Sequence, residues 1–471
     1  MSTAAGTGAI RADQETAGLA PGPGWALWAA VLGMFVVTLD ALIVNVALPT
    51  IAHDLGGGTT GQQWVLDGYT LMFAALLLST GSLSDRIGAR TAFTAGLVLF
   101  VAASVACGLA PTLPVLVAAR FVQGAGAAVM LPATLALIRE AFPDATARTK
   151  AIAIWAVGGA AASAAGPVLG GALCLAGWRL IFFINVPVGA IALLLLSRVA
   201  RSPRRPRPFD WTGQVTAVVA MSGLTYGMIE GGSQGFATPR VLAALAIAAA
   251  ALIVFIGAQA RGAHPMVPLS LFRNRAVLIS LAGGFAFCVG FYGLVYLLSL
   301  YFQDLRGLSS FQAGLAFLPM TAVTGFVNLL APKVAARFGL RTAIGSGLAC
   351  MAAGLTALAL MPAGTPIVLT AALMLPVGIG GSLAVPALTA LLLESVPAEQ
   401  AGVAGGVLNT FRQLGGALAV AVYGSLIAGG AGFLHGMRIC LLISAIVLIA
   451  TCATALARRR GHHVAPALAG T

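Results

Sequence analysis

Trp25–Pro49 reads WALWAAVLGMFVVTLDALIVNVALP. At about 1.5 Å of rise per residue, a helix of this length crosses a bilayer core of roughly 30 Å. The stretch carries one charge, Asp40, which helical rise puts roughly 13 Å below the outer end. A carboxylate at that depth costs several kcal/mol if ionised and unpaired, so it neutralises, pairs or lines a wet cavity. Two readings stay open at this point. Asp40 is a structural group bonded to a neighbouring helix, or it is a site for a proton or cation.

Composition extends the reading to the whole chain. Of 471 residues 59% are hydrophobic and 8% charged, with a mean hydropathy of +0.98, whereas soluble domains carry about 25% charged residues. The pattern predicts an all-α polytopic membrane protein with fourteen spans. Residues 1–24 lack the charged-then-apolar order of a cleaved signal and read as a disordered cytoplasmic tail. The net charge of +13 could suggest nucleic acid, but the positions of the charges decide against it. With the N-terminus inside, twenty of the 26 basic residues fall in inner segments, four in outer ones, and Arg120 and Arg412 within spans. This is the positive-inside pattern, so both termini are expected in the cytoplasm, with the arginines against anionic lipid.

The chain also repeats itself. Asp85-Arg86-Ile-Gly88-Ala-Arg90-Thr91 returns as Ala336-Arg337-Phe-Gly339-Leu-Arg341-Thr342, 251 residues later, and Gly124–Ala133 returns as Gly378–Ala387, 254 residues later. Two echoes at nearly one offset imply a duplicated six-helix unit. The expected organisation is an N-terminal bundle over 25–198, a basic Pro-rich cytoplasmic linker over 199–211, and two inserted helices over 212–260. A second linker over 261–275, a C-terminal bundle over 276–457 and a cytoplasmic tail over 458–471 follow.

Candidate functional residues stand out as polar groups at apolar depth. Asp67, in Trp64-Val-Leu-Asp67-Gly-Tyr69, lies about one turn inside the outer face and is either interfacial or functional. Arg120 reaches a depth similar to that of Asp40. It cannot shed its proton in practice, so a charge network with Asp40 or Asp67 is expected. The segment Gly81–Thr91 reads as a short inner loop, in which Gly81 and Gly88 allow close approach and Asp85 caps the next helix or pairs with a basic residue. Gly158–Gly171 is rich in small residues, with Pro167 as a kink, and suits close packing or a gate. Asn409, Arg412 and Gln413 bring a second buried cation near mid-membrane, and Glu230 reads as a solvated cap near the outer interface. The six cysteines sit in apolar runs without metal-ligand spacing, and the chain has no Gly-rich phosphate loop with Lys-Ser/Thr.

These motifs resemble the major facilitator superfamily, specifically its 14-span drug:proton antiporters and, most of all, the methylenomycin-type exporters. Leu39-Asp40 with Val44-Asn45-Val46-Ala47-Leu48-Pro49 is similar to the first-helix signature, Gly81–Thr91 to the loop motif and Arg120 with Gln123-Gly124-Ala-Gly126 to the fourth-helix motif. Gly166-Pro167-Val-Leu-Gly170-Gly171 resembles the antiporter motif of helix five. Leu42 departs from the first-helix signature, where Thr is usual, and Ala162 from the helix-five motif, where Gly is usual.

The resemblance implies two six-helix bundles plus two inserted helices, and drug:proton antiport across a bacterial plasma membrane. It makes Asp40 the proton or substrate carboxylate, Asp67 a second acid in the same cavity and Arg120 the coupling arginine. Asp85, Arg86 and Arg90 would latch helix ends between the halves, with Gly81 and Gly88 shaping that gating loop. A hydrophobic small molecule, protons and lipids are the implied partners, with no cofactor, no metal, no nucleic acid and a monomeric state. The absence of acids inside the last six spans points to a neutral, weakly anionic or monocationic substrate. A proton-coupled uptake symporter, or a sensor or scaffold that does not transport, are the rival readings.

Overall fold

The computed structural model describes residues 21–204, 209–262, 265–397, 400–428 and 432–456. Most of the expected N-terminal tail, the C-terminal tail, and Arg205 and Arg207 of the linker lie outside the described residues. Fourteen helical spans follow one another: α1 Pro21–Leu55, α2 Gly58–Ile87, α3 Ala89–Gly108, α4 Leu113–Ala141, α5 Ala145–Ala176 and α6 Leu180–Phe183, continuing as Asn185–Ser197. Then come α7 Trp211–Gln234, α8 Pro239–Arg261, α9 Arg275–Leu300 with a π-turn over Tyr301–Leu305, and α10 Ser310–Phe338. The last four are α11 Leu340–Leu360, α12 Ile367–Leu373 continuing as Leu375–Glu394, α13 Ala401–Ala428 and α14 Phe433–Leu456.

Among the described residues thirteen of these are long and apolar enough to cross a membrane. The fourteenth, α7, is 24 residues long but carries Thr212, Gln214, Thr216, Ser222, Thr225 and Glu230. It packs against α2, α8 and α13, with Gln214 and Thr225 buried there. Gln214 Nε2 donates to the Ala75 carbonyl of α2 at 2.9 Å, and Ser425 Oγ of α13 donates to the Met228 carbonyl of α7 at 3.1 Å. The insertion therefore rests on both bundles at once.

The duplication is visible as a repeated contact. A Cβ on Gly126 would lie 2.9 Å from the Gly96 carbonyl oxygen, and one on Gly96 would lie 3.0 Å from that of Gly126. In the second bundle Gly347 and Gly380 make the same reciprocal approach, at 2.6 and 2.3 Å. Small residues let α3 meet α4, and α11 meet α12, backbone to backbone where no hydrophobic effect drives helices together in lipid. Gly88 and Gly339 occupy equivalent turns with φ +87° and +86°, a region that disfavours side chains with a Cβ.

One expectation is corrected here. Gly81–Thr91 is not a loop: α2 runs on to Ile87, α3 starts at Ala89, and Gly88 alone makes the turn. Gly81 lies within α2, and a Cβ there would meet open space, so it serves no close approach in this conformation. The N-cap position of α3 is Gly88, which has no side chain to offer.

The two bundles meet along two seams, α2 with α13 and α5 with α10, and α1 touches α9 between them. Gln63 Nε2 donates to the Val420 and Ala421 carbonyls at 3.2 and 2.6 Å. Ser299 Oγ reaches the Asn45 carbonyl at 2.8 Å and Gln303 Nε2 the Val46 carbonyl at 3.0 Å. Thr50 and Ser310 hydroxyls lie 3.3 Å apart. These residues sit toward the end of the molecule opposite the arginine-rich loops, so that end is closed.

Candidate functional site

Asp40 and Asp67 are both fully buried, in opposite surroundings. On α1, Thr38 and Ala41 are partly exposed, while Asp40 points into the first bundle. Its Oδ2 pairs with Arg120 Nη1 at 2.5 Å, and its Oδ1 accepts from Gln123 Nε2 at 2.7 Å and Asn185 Nδ2 at 3.1 Å. Ser104 Oγ accepts from Gln123 at 2.7 Å and from Asn185 at 3.1 Å. Arg120 also donates from Nη1 to Gln123 Oε1 at 2.8 Å and from Nε to the Val65 carbonyl at 3.0 Å. Its guanidinium carbon lies 4.4 Å from the centre of the Tyr69 ring, a cation–π contact. Such a pair holds its charges in low dielectric because geometry and extra hydrogen bonds offset desolvation. The Asp40–Arg120 network expected from the sequence is present, and every one of these partners belongs to the first bundle.

Asp67 has no cation. Its Oδ1 accepts only from Thr70 Oγ1 at 3.3 Å, within its own helix, and Oδ2 has no hydrogen-bond partner. The helical face it occupies is set by its neighbours: Gln63 and Ala74, one turn before and two turns after, both bond across to α13. Asp67 thus stands on the seam between the halves, not in the Asp40 cluster and not at an interface with water. Tyr296 of α9, within electrostatic reach of Asp67, also leaves its hydroxyl unpartnered.

The other expected residues are distributed as follows. Gly166 and Gly170 of α5 face α1: a Cβ would lie 3.0 Å from Leu42 Cβ and 2.7 Å from the Ile43 oxygen. Gly171 and Pro167 face α10. A Cβ on Gly171 would lie 2.5 Å from the Ser310 oxygen, and one on Gly314 would lie 2.3 Å from the Pro167 oxygen. The motif is two i, i+4 pairs, one joining α5 to its own bundle and one to the other. Arg90 does not reach across the halves in this conformation. Its amide donates to Ser202 Oγ at 2.9 Å and its Nη2 to the Ser197 carbonyl at 3.4 Å, while Ser202 donates to Glu140. The Gly88 turn is pressed onto the linker after α6, its would-be Cβ 3.0 Å from the Ser202 oxygen. Arg86 is exposed. Glu230, partly exposed near the end of α7, accepts from Trp64 Nε1 at 3.0 Å and Gln234 Nε2 at 2.6 Å, pinning α7 to α2. Arg412 keeps Asn409 beside it, Nη1 to Oδ1 at 3.5 Å, with Gln413 the next residue on the same helix.

Sequence reading placed Gln123 and Asn185 in motifs but not on Asp40, and passed over Ser104 and Tyr296. The available signal was a lone amide or hydroxyl in an apolar helix, which wants a partner at that depth.

Residues 30–420 match the model of the Major Facilitator Superfamily. The chain is 36% identical, over 94% of both chains, to the methylenomycin A resistance protein of Streptomyces coelicolor. It is 37% identical to the multidrug resistance protein Stp of Mycobacterium tuberculosis, over 85% of this chain and 75% of that one. With the tetracenomycin C resistance and export protein of Streptomyces glaucescens it shares 34% over 89% and 79%. Among solved structures, a D-xylose-proton symporter superposes with a TM-score of 0.64 at 17% identity, covering 90% of this chain and 96% of that one, a likeness of fold alone. With thirteen long apolar helices, a family model matched over most of its length and relatives above 30% identity, the chain is a multi-pass membrane transporter, not an enzyme, and belongs to the Major Facilitator Superfamily.

Proposed function

We propose that the protein exports a hydrophobic small molecule across a bacterial plasma membrane in exchange for protons. The relatives named for resistance and export support the direction of transport. The observation that carries proton coupling is Asp67: a carboxyl with no counter-ion, buried on the seam that must open. Ionised and unpaired there, it would cost several kcal/mol, so it carries a proton while buried and exchanges it with water on whichever side the halves part. Asp40 is the poorer carrier, because its charge is already balanced by Arg120 and two amides. The twenty-to-four division of basic residues orients both termini to the cytoplasm. Protons then enter from the outer side, and a membrane potential supplies about 2.3 kcal/mol per charge per 100 mV, enough for more than tenfold accumulation.

The test uses proteoliposomes with an imposed pH gradient and a panel that includes tetracenomycin C and methylenomycin A. Accumulation inside vesicles with an acidic lumen, lost in Asp67→Asn, is the expected result. Accumulation that requires acid outside would make the protein a symporter, and accumulation indifferent to the gradient would end the proton reading.

A further inference from the structure

The molecule holds two arginines at membrane depth, and only one has a carboxylate. Arg412 lies eleven residues into α13, roughly 16 Å from that helix's start by rise. Among the described residues it forms no ion pair. Its Nε is buried with no hydrogen bond, and its one recorded polar contact is the long approach to Asn409. No acid sits near it in sequence: the second bundle's three are Asp304, Glu394 and Glu399, of which Asp304 and Glu394 lie at span ends and Glu399 is thirteen residues before Arg412. The register of α2 against α13 excludes Asp67 as well. Gln63 meets Ala421 and Ala74 meets Thr410, which puts Asp67 about five residues, roughly 7 Å, further along α13 than Arg412.

The surroundings are shaped, not filled. The Arg412 stem lies over Gly284 of α9, where a Cβ would stand 3.1 Å from Arg412 Cγ and 3.7 Å from Nε. One turn on, Tyr292 lies over Gly416. Phe287 and Phe291 stack at 5.5 Å with ring planes 20° apart, and Tyr292 meets Phe291 edge-on at 5.7 Å. All three rings, with Asn409, Arg412 and Gln413, are only partly buried. A permanently charged fork with free donors beside aromatic faces suits an oxyanion on a flat apolar body.

We infer that Arg412, with Asn409 beside it, is the seat for the acidic group of the transported molecule, a carboxylate, sulfonate or phenolate carried on an aromatic or otherwise apolar frame. The substrate supplies the counter-charge that the second bundle lacks, and a dication would meet a fixed positive charge instead. This rests on the transport reading of the seam, but not on its coupling to protons.

The test measures saturable binding of 2-naphthoate and of its cationic counterpart 2-naphthylmethylammonium. It uses the full chain in lipid nanodiscs at pH 7, with empty nanodiscs subtracted and no gradient. The unaltered protein is expected to bind naphthoate at least about tenfold more tightly than the ammonium, the scale of one charge-assisted hydrogen bond. Arg412→Gln should abolish that preference, and Arg412→Lys, which keeps the charge but not the fork, should restore part of it. If either variant fails to fold, the charge preference of the unaltered protein decides alone. An absent or reversed preference, or one that survives in a folded Arg412→Gln, overturns the inference and leaves Arg412 a packing residue. Should transport prove independent of a pH gradient while naphthoate binding still follows Arg412, the coupling reading falls and this one stands.

Discussion

Removing one partner of the Asp40–Arg120 pair separates a structural role from a carrier role. Arg120→Leu deletes the 2.5 Å contact to Asp40, the donor to Gln123 Oε1 and the donor to the Val65 carbonyl. The carboxylate left behind keeps Gln123 and Asn185 but no cation, and breaking a buried pair in this way costs about 3–5 kcal/mol. Asp40→Leu/Arg120→Leu removes both charges: the Gln123 and Asn185 amides lose Asp40 but keep Ser104 as acceptor, while Gln123 Oε1 and the Val65 carbonyl lose the Arg120 donors. The double variant should therefore recover at least half of the single variant's loss. Cys107 reports locally, being buried with its Sγ 3.6 Å from Gln123 Oε1. Heating the detergent-solubilised protein with a thiol-reactive fluorophore reads its release. Arg120→Leu should unmask thiols several degrees below the parent, and the double variant should lie between them. Equal melting of parent and Arg120→Leu, or a double variant weaker than either single one, would refute the view of the pair as a charge-balanced strut.

Three further outcomes follow from other parts of the molecule. Asp67→Asn should melt no lower than the parent, since it loses only one weak hydrogen bond, yet substrate-induced proton release should fall more than tenfold; proton release equal to the parent's would return the carrier role to Asp40. Gly314→Leu, whose Cβ would lie 2.3 Å from the Pro167 oxygen, should wedge α5 from α10 and raise labelling of half-buried Cys174 by an impermeant maleimide several-fold, with unchanged labelling counting against closure at that seam. Gly88→Leu forces a side chain to φ +87° and to 3.0 Å from the Ser202 oxygen, which should cost about 1–2 kcal/mol or more and lower the melting temperature, whereas Arg86→Gln at an exposed position should not.

The fold was legible because its signals are one-dimensional. Span length, charge asymmetry and a doubled motif need no knowledge of what touches what, and they gave fourteen helices and a repeat whose glycine contacts recur in space. Depth along a span was legible for Asp40 and Arg120, which were paired correctly by level, but not for Asp67, read one turn inside the outer face and found fully buried near the level of Arg120. The direction each side chain faces was not legible. Asp67 and Asp40 lie in neighbouring helices at comparable depth, yet one looks across the seam and the other into the bundle. An apolar helix with little polar asymmetry gives few clues to its rotation about its own axis. For the same reason Arg90 read as a latch to the other half, while its guanidinium reaches the Ser197 carbonyl at the end of α6.

The two seams differ in what must be undone to part them. Between α2 and α13 the bundles hold each other through directed donors, the Gln63 amide above all, and α7 is tied to both sides. Between α5 and α10, at Pro167, Gly171 and Gly314, backbones lie against one another with no side chain interlocked. Sliding or lifting such a surface costs mainly dispersion, a little per atom and spread evenly, with the Cys174–Ser310 side-chain contact at its edge. The molecule thus has a stiff spine and a loose cover, and should open like a book along one flank. The pace of opening along that flank should follow the lateral pressure of the surrounding lipid more than the salt around it.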